Sequence, residues 1–373
     1  MSLRRVALGM AVVALAALFI ELVSFAAAWV LSTTGLVVAD PDADGYEDYL
    51  TIRDPVLGWP SPGIFGSGEY DSSGSRLVPA FPDPGLDACV ALFGDSFTWG
   101  DEVGPEHAYG NVLAGMLDCR VANYGVGGYG TDQAALRYLR VINDDAPVVV
   151  LGHFSDNITR NVNQLRDLIA GGRFGLKPRF VIEGGELVEV PLPQLSASQY
   201  AAAASRAGEL LPYEYFRPGR PGAAGVFSFP FTRAVFNAAM HYRVQSAIRG
   251  IRPTYAPFYS PQHPSGALEV TARLLTFSAA VAADRGQRLV VLLIPDLHDL
   301  EAARAGEPSS YAPLAAALRA TQTPYIDAAD YFVAQHGDAD FCELFVTCGN
   351  SHFNPDGYRL LAEAVYQVIA DSR

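Results

Sequence analysis

Cys89-Val90-Ala91-Leu92-Phe93-Gly94-Asp95-Ser96-Phe97-Thr98-Trp99-Gly100 is the stretch whose reading decides the fold. Five apolar residues closed by a glycine predict a short buried strand, and the Gly-Asp-Ser turn behind it lifts one hydroxyl out of the strand's carboxyl end. A serine hydroxyl is a poor nucleophile until a tight turn presents it to a general base and to backbone N–H donors. Ser96 is therefore the first residue with a candidate chemistry. Gly-Asp-Ser is also common turn composition, so its partners have to be sought in the rest of the chain.

Downstream, short apolar runs alternate with helical segments. Strands are expected at Cys89–Phe93, Arg120–Asn123, Pro147–Gly152, Arg288–Ile294 and Pro324–Ile326, with helices at about 106–118, 131–143, 267–285, 309–321 and 356–371. Such βα alternation predicts a parallel sheet with helices on both faces. Residues 162–266 interrupt it with a hairpin over 179–190 and helical stretches near 196–210 and 231–249, and are expected to form one insertion covering the site. Residues 32–87, rich in Pro, Gly, Asp and Ser, are expected to form a linker and N-terminal extension ahead of the main domain, 88–373.

Of 373 residues half are hydrophobic, enough for a sizeable core; 40 acidic against 26 basic residues give a net charge of −14, and Lys177 is the sole lysine. A phosphate-binding surface for nucleic acid is excluded on that balance. At the N-terminus Arg4 and Arg5 precede an apolar run from Val6 to Leu31 broken only by Glu21 and Ser24, long enough to span hydrocarbon. Residues 1–31 are expected to be a signal anchor with the N-terminus cytoplasmic and the remainder periplasmic or extracellular. A cleavable signal peptide cut near Ala26-Ala27-Ala28 is the alternative. Glu21 is costly in lipid, which makes it a hint of a membrane partner, an acyl donor among the candidates, or else a snorkelling side chain.

Cys89, Cys119, Cys342 and Cys348 fit an exported domain, and their spacing suggests no metal site. If the strands opened by Cys89 and Cys119 are neighbours, those two can bridge, and Cys342 and Cys348 then close a small loop; free buried thiols are the alternative.

Strand two runs into Asn123-Tyr124-Gly125-Val126-Gly127-Gly128-Tyr129-Gly130-Thr131, whose glycines allow close backbone approach to a ligand. Strand three runs into Gly152-His153-Phe154-Ser155-Asp156-Asn157-Ile158-Thr159, which offers a carboxamide donor, although Asn157 also heads a formal glycosylation sequon. Near the C-terminus stands Gly349-Asn350-Ser351-His352-Phe353-Asn354-Pro355, where Asn354 as N-cap and Pro355 as first helical residue set His352 just ahead of the last helix. His352 is a candidate general base, with His298 as its rival. In a sheet of order 2-1-3-4-5, ligands bind at the carboxyl ends of strands one and three. There Ser96 N–H, Gly128 N–H and the Asn157 amide can converge on one oxyanion.

In these four blocks the chain resembles the SGNH, or GDSL-like, hydrolase family over roughly residues 88–161 and 286–372. The resemblance implies a flavodoxin-like α/β/α sandwich with a five-stranded sheet, Ser96 as nucleophile, Gly128 and Asn157 as oxyanion donors and His352 as base. Asn157 is preferred over Asn161. The family places an aspartate two or three residues before the histidine, where this chain has Asn350 and Gly349. Asn350 is then expected to orient the imidazole, with Glu343, Asp340 or a bare Ser-His dyad as alternatives.

The function expected is a membrane-anchored, extracytoplasmic serine esterase, without metal or cofactor, that removes small O-acyl groups such as acetyl from a carbohydrate or other ester. Trp99 and Tyr129 are expected to line its substrate site. An O-acyltransferase of envelope or exopolysaccharide, and a non-catalytic carbohydrate-binding scaffold motivated by the missing acid, are the other two readings.

Overall fold

In the computed structural model, which describes residues 3–42, 44–170, 175–349 and 351–370, the chain separates into two compact units. The smaller comprises 1–51, 163–176 and 193–254; the larger comprises 52–162, 177–192 and 255–373.

The larger unit is built on five parallel strands: β1 (Val90–Phe93), β2 (Val121–Asn123), β3 (Val148–Phe154), β4 (Arg288–Ile294) and β5 (Tyr325–Asp327). They lie in the order β2-β1-β3-β4-β5, with Val90 opposite both Val121 and Val148. Parallel strands need crossover connections, and the helices between them cover both faces. Tyr109–Leu117, Ala328–His336 and Pro355–Ala370 pack together on one face, while Thr131–Leu136, Ala267–Asp284 and Ala312–Ala320 pack on the other. Alternation along β1 sends Val90 and Leu92 to the first face, where they join Leu113, Phe332, Leu361 and Val365 in a continuous core. Each such fully buried side chain contributes about 1.5–3 kcal/mol.

Two helices not anticipated from periodicity, Leu297–Arg304 and Ala328–His336, begin at aspartate N-caps. Asp296 accepts the N–H of Asp299 at 2.9 Å and Asp327 that of Ala329 at 3.2 Å, the usual device for an otherwise orphaned helix donor. Disulfides join Cys89 to Cys119 and Cys342 to Cys348.

The stretch expected as one insertion is divided between the units. The antiparallel hairpin Arg179–Glu183 and Glu186–Val190 belongs to the larger one. There the fully buried Lys177 beside it pairs with Asp132, and Arg179 donates to the Val162 carbonyl at 2.8 Å. In the smaller unit, the buried Glu214 carboxylate accepts the backbone N–H groups of Gln164 and Leu165 at 2.6 and 2.9 Å. Its longest element is the apolar helix Leu3–Ser32, whose core-spanning length and composition suffice to cross a bilayer.

Candidate active site

β1 ends at Phe93, and Gly94 and Asp95 lead into the one-turn helix Ser96–Trp99. The fully buried Asp95 caps that turn by accepting the Phe97 N–H at 2.9 Å. Burial pushes its carboxyl up, opposed by the Arg160 guanidinium 3.4 Å away. As the first helical residue, Ser96 has no intrahelical acceptor for its N–H. Close packing at the carboxyl ends of three strands makes room for this turn. A Cβ at Gly94 would overlap Thr98 Oγ1, one at Gly152 would stand 2.6 Å from the same oxygen, and one at Gly125 would overlap the Trp99 backbone nitrogen.

His352 meets this serine from the other end of the chain. The Asn354 side chain accepts the N–H groups of Asp356 and Gly357 at 3.0 and 3.1 Å and so caps the last helix. The imidazole just ahead of it places Nε2 2.8 Å from Ser96 Oγ. On its other side Nδ1 lies 2.9 Å from Glu102 Oε2, and the same oxygen accepts the His352 backbone N–H at 2.7 Å. An ionised carboxylate only accepts, so Nδ1 carries the proton and Nε2 turns its lone pair to the serine hydroxyl. The backbone N–H of His352, followed by its imidazole, holds the Glu102 carboxyl below the usual range despite partial burial. Asp101 stands 4.0 Å from Nε2, its carboxyl pushed up by burial.

The group on Nδ1 is thus Glu102, a residue the sequence analysis did not single out. Asn350 lies outside the described residues. Asp340 instead caps a short turn by accepting the Cys342 N–H at 2.9 Å, and Glu343 meets Asn354 through its backbone carbonyl. Asp101-Glu102, an acidic pair directly behind the Ser96 turn, was the available signal.

Glu102 has φ +66°, unusual for a residue with a side chain. Arg76 braces the loop that carries it. The guanidinium donates to the carbonyls of Trp99, Gly100 (2.8 Å) and Val103 (2.9 Å) and lies 4.9 Å from the Trp99 ring. Arg76→Ala leaves those carbonyls without their charged donor and is expected to cost about 3 kcal/mol, read as a lower denaturant midpoint, together with a fall in kcat as Glu102 loses its register.

The other expected residues are distributed unevenly. Asn157 is fully buried, which closes the sequon to modification; beside Asp95, its amide nitrogen and oxygen make no hydrogen bond of ordinary geometry among the described residues. Gly128 sits at φ +79° in the loop after β2. Asn161 is buried and committed to Thr271 Oγ1 at 2.7 Å. Trp99 and Tyr129 do not line the cleft. Trp99 is held between Arg76 and Tyr70, and the fully buried Tyr129 gives its hydroxyl to the Trp59 carbonyl. Both are packing residues, because their aromatic faces are covered by the extension over 52–87. His298 lies 3.7 Å from Asp296, whose hydrogen bond raises the imidazole's proton affinity. Burial holds His153 down to about 3, and its ring is bonded to Thr131 and Tyr259 hydroxyls at 2.7 Å on either side.

The cleft over the Ser96 hydroxyl holds about 220 Å³. Phe97, Phe154, Leu297 and Phe345 supply an apolar wall, with Arg160, Asp296 and Ser351 as polar groups.

No family model and no curated protein matches this chain. Among solved structures it is similar to a putative lipolytic protein of the G-D-S-L family from Desulfitobacterium hafniense, at 11% identity and a TM-score of 0.36 over 75% of this chain and 98% of that one. It is also similar to a catalytic mutant of Axe2, an acetylxylan esterase from Geobacillus stearothermophilus (12%, TM-score 0.38, 76% and 94%). A third is the acetyl xylan esterase AlAXEase (11%, TM-score 0.39, 75% and 98%).

Proposed function

We propose that this protein is a serine esterase acting through an acyl-enzyme, with Ser96 as nucleophile, His352 as general base and Glu102 as the acid that orients it. The observation that carries this is the unbroken line from Glu102 Oε2 through the imidazole to Ser96 Oγ, at 2.9 and 2.8 Å. Ser96 Oγ attacks the ester carbonyl while Nε2 takes its proton, and Glu102 stabilises the imidazolium. The oxyanion is held by the Ser96 N–H, by the loop at Gly128 and by the Asn157 amide. The imidazolium then protonates the leaving alkoxide, and water repeats the cycle to release the acid.

A cleft smaller than the roughly 300–1,000 Å³ of drug-sized pockets suits a short acyl group, and Arg160, Asp296 and Ser351 suit a hydroxyl-rich alcohol such as a sugar. The helix Leu3–Ser32 serves as the anchor, with Arg4 and Arg5 on the cytoplasmic side and the disulfide-bonded domain outside. The scaffold alternative rested on a missing acid, and Glu102 removes that motive. The membrane-partner role suggested for Glu21 also lapses, since its carboxylate is satisfied within the chain by Phe231 and Thr232.

Labelling with a fluorophosphonate tests the proposal. The native protein should label at one site, Ser96→Ala should not, and a native protein that stays unlabelled at millimolar probe rules the esterase out.

A further inference from the structure

Glu21 stands inside the apolar stretch of the N-terminal helix, yet both its oxygens are occupied. Oε2 accepts the Phe231 N–H at 2.7 Å and Oε1 the Thr232 hydroxyl at 2.6 Å. One turn on, the Phe25 ring packs on Phe227 and Phe231 at 5.6 and 5.0 Å. Beyond it Ala28 is buried with Ala234 and Ala238. The helix Phe231–Ala239 therefore lies along the last turns of the N-terminal helix, with its first residue at the level of Glu21.

That level can be placed against a bilayer. A hydrocarbon core about 30 Å thick takes about 20 helical residues. Counted from Val6, the first residue after Arg4 and Arg5, such a span ends at Phe25. Glu21 and the residues bonded to it then lie among acyl chains, where every backbone donor needs a partner. Pro230 has no N–H, and the Phe231 N–H is taken by Glu21. Three large apolar side chains of this segment are bare: Phe229 is 74% exposed, Phe236 66% and Ile248 73%. The same part of the chain reverses the protein's charge. Residues 193–254 hold seven arginines against Glu209 and Glu214, a net of five positive charges in a chain of −14. Arg233, Arg249 and Arg252 are exposed.

We infer that residues 227–252 form a membrane-embedded collar: Phe229 and Phe236 enter the leaflet at the C-terminal end of the N-terminal helix, and the surrounding arginines bind its anionic phosphate headgroups. The occupant of the exposed face is lipid, because the face is continuous with the bare apolar surface of a spanning helix and belongs to a part of the chain that carries net positive charge. The inference rests on the anchor reading of that helix.

The test uses the full chain in vesicles of phosphatidylcholine and phosphatidylglycerol, spin-labelled at one introduced cysteine. The four native cysteines are held in disulfides. Leu15→Cys, Phe229→Cys and Phe236→Cys all alter exposed side chains, so folding is preserved. Labels at 229 and 236 should be several-fold more accessible to oxygen than to a nickel chelate, as at 15. A lipid signature at 15 with an aqueous one at 229 and 236 overturns the collar and leaves the anchor standing. Aqueous labels at all three positions overturn both. Unchanged accessibility when phosphatidylglycerol is omitted overturns the headgroup contact.

Discussion

Ser96→Ala and His352→Ala will each lower kcat on a short-chain aryl ester by about 10⁶-fold, and the double variant will fall no further. The two atoms they remove share one hydrogen bond of 2.8 Å. Without the imidazole the hydroxyl keeps its proton and cannot attack; without the hydroxyl the imidazole has no proton to take. Residues acting as one unit are strongly non-additive, and the activity left over comes from whatever holds the oxyanion. The measurement is kcat for native, single and double variants. Additive losses would mean that the two groups serve separate sites, and the esterase mechanism would then fail.

Glu102→Gln is expected to lower kcat by about 10⁴, the cost of the same acid-to-amide change in a serine protease, while KM stays within a few-fold. The shape of the loop survives, since Arg76 holds its carbonyls on both sides of the change. What is lost is the charge that favours the Nδ1–H tautomer and the imidazolium. Asn350→Ala run in parallel separates the two orienting groups, because a loss confined to the Glu102 variant assigns the role. The pH dependence has a definite sign. Bound by His352, Glu102 has a folded-state pKa below its unfolded one, so its stabilising contribution is present above the ordinary carboxylate range of about 4.3. It is lost as pH falls through the lowered value. The Tm difference between the native protein and Glu102→Gln should therefore be present at neutrality and vanish in acid, below the lowered value. A difference that persists undiminished at that acidity contradicts the pairing.

Much of the larger unit was legible because its signals are local. Five runs of apolar residues closed by glycine, proline, aspartate or asparagine correspond to the five strands, and Asn354-Pro355 marks the start of the last helix within one residue. The helices at Leu297 and Ala328 were missed even though Asp296 and Asp327 are good N-caps, because 8 and 9 residues are too short a stretch to set a 3.6-residue period. Trp99 and Tyr129 were misjudged for another reason. An aromatic beside a nucleophile looks like a substrate contact until the chain segment that covers it, here Trp59, Tyr70 and Arg76, is known to lie there.

The amino-acid order alone determined the alternation of strands and helices, the exposed turn at Ser96 and the histidine ahead of the last helix, since hydrophobic period, capping and turn chemistry act over a few residues. Only the tertiary structure decided that Glu102 faces an imidazole 250 positions away and that Glu21 is met by Phe231 and Thr232. A carboxylate can reach a partner from any loop on the same edge of the fold. Which loop does so is set by packing across the molecule, and no local pattern records it.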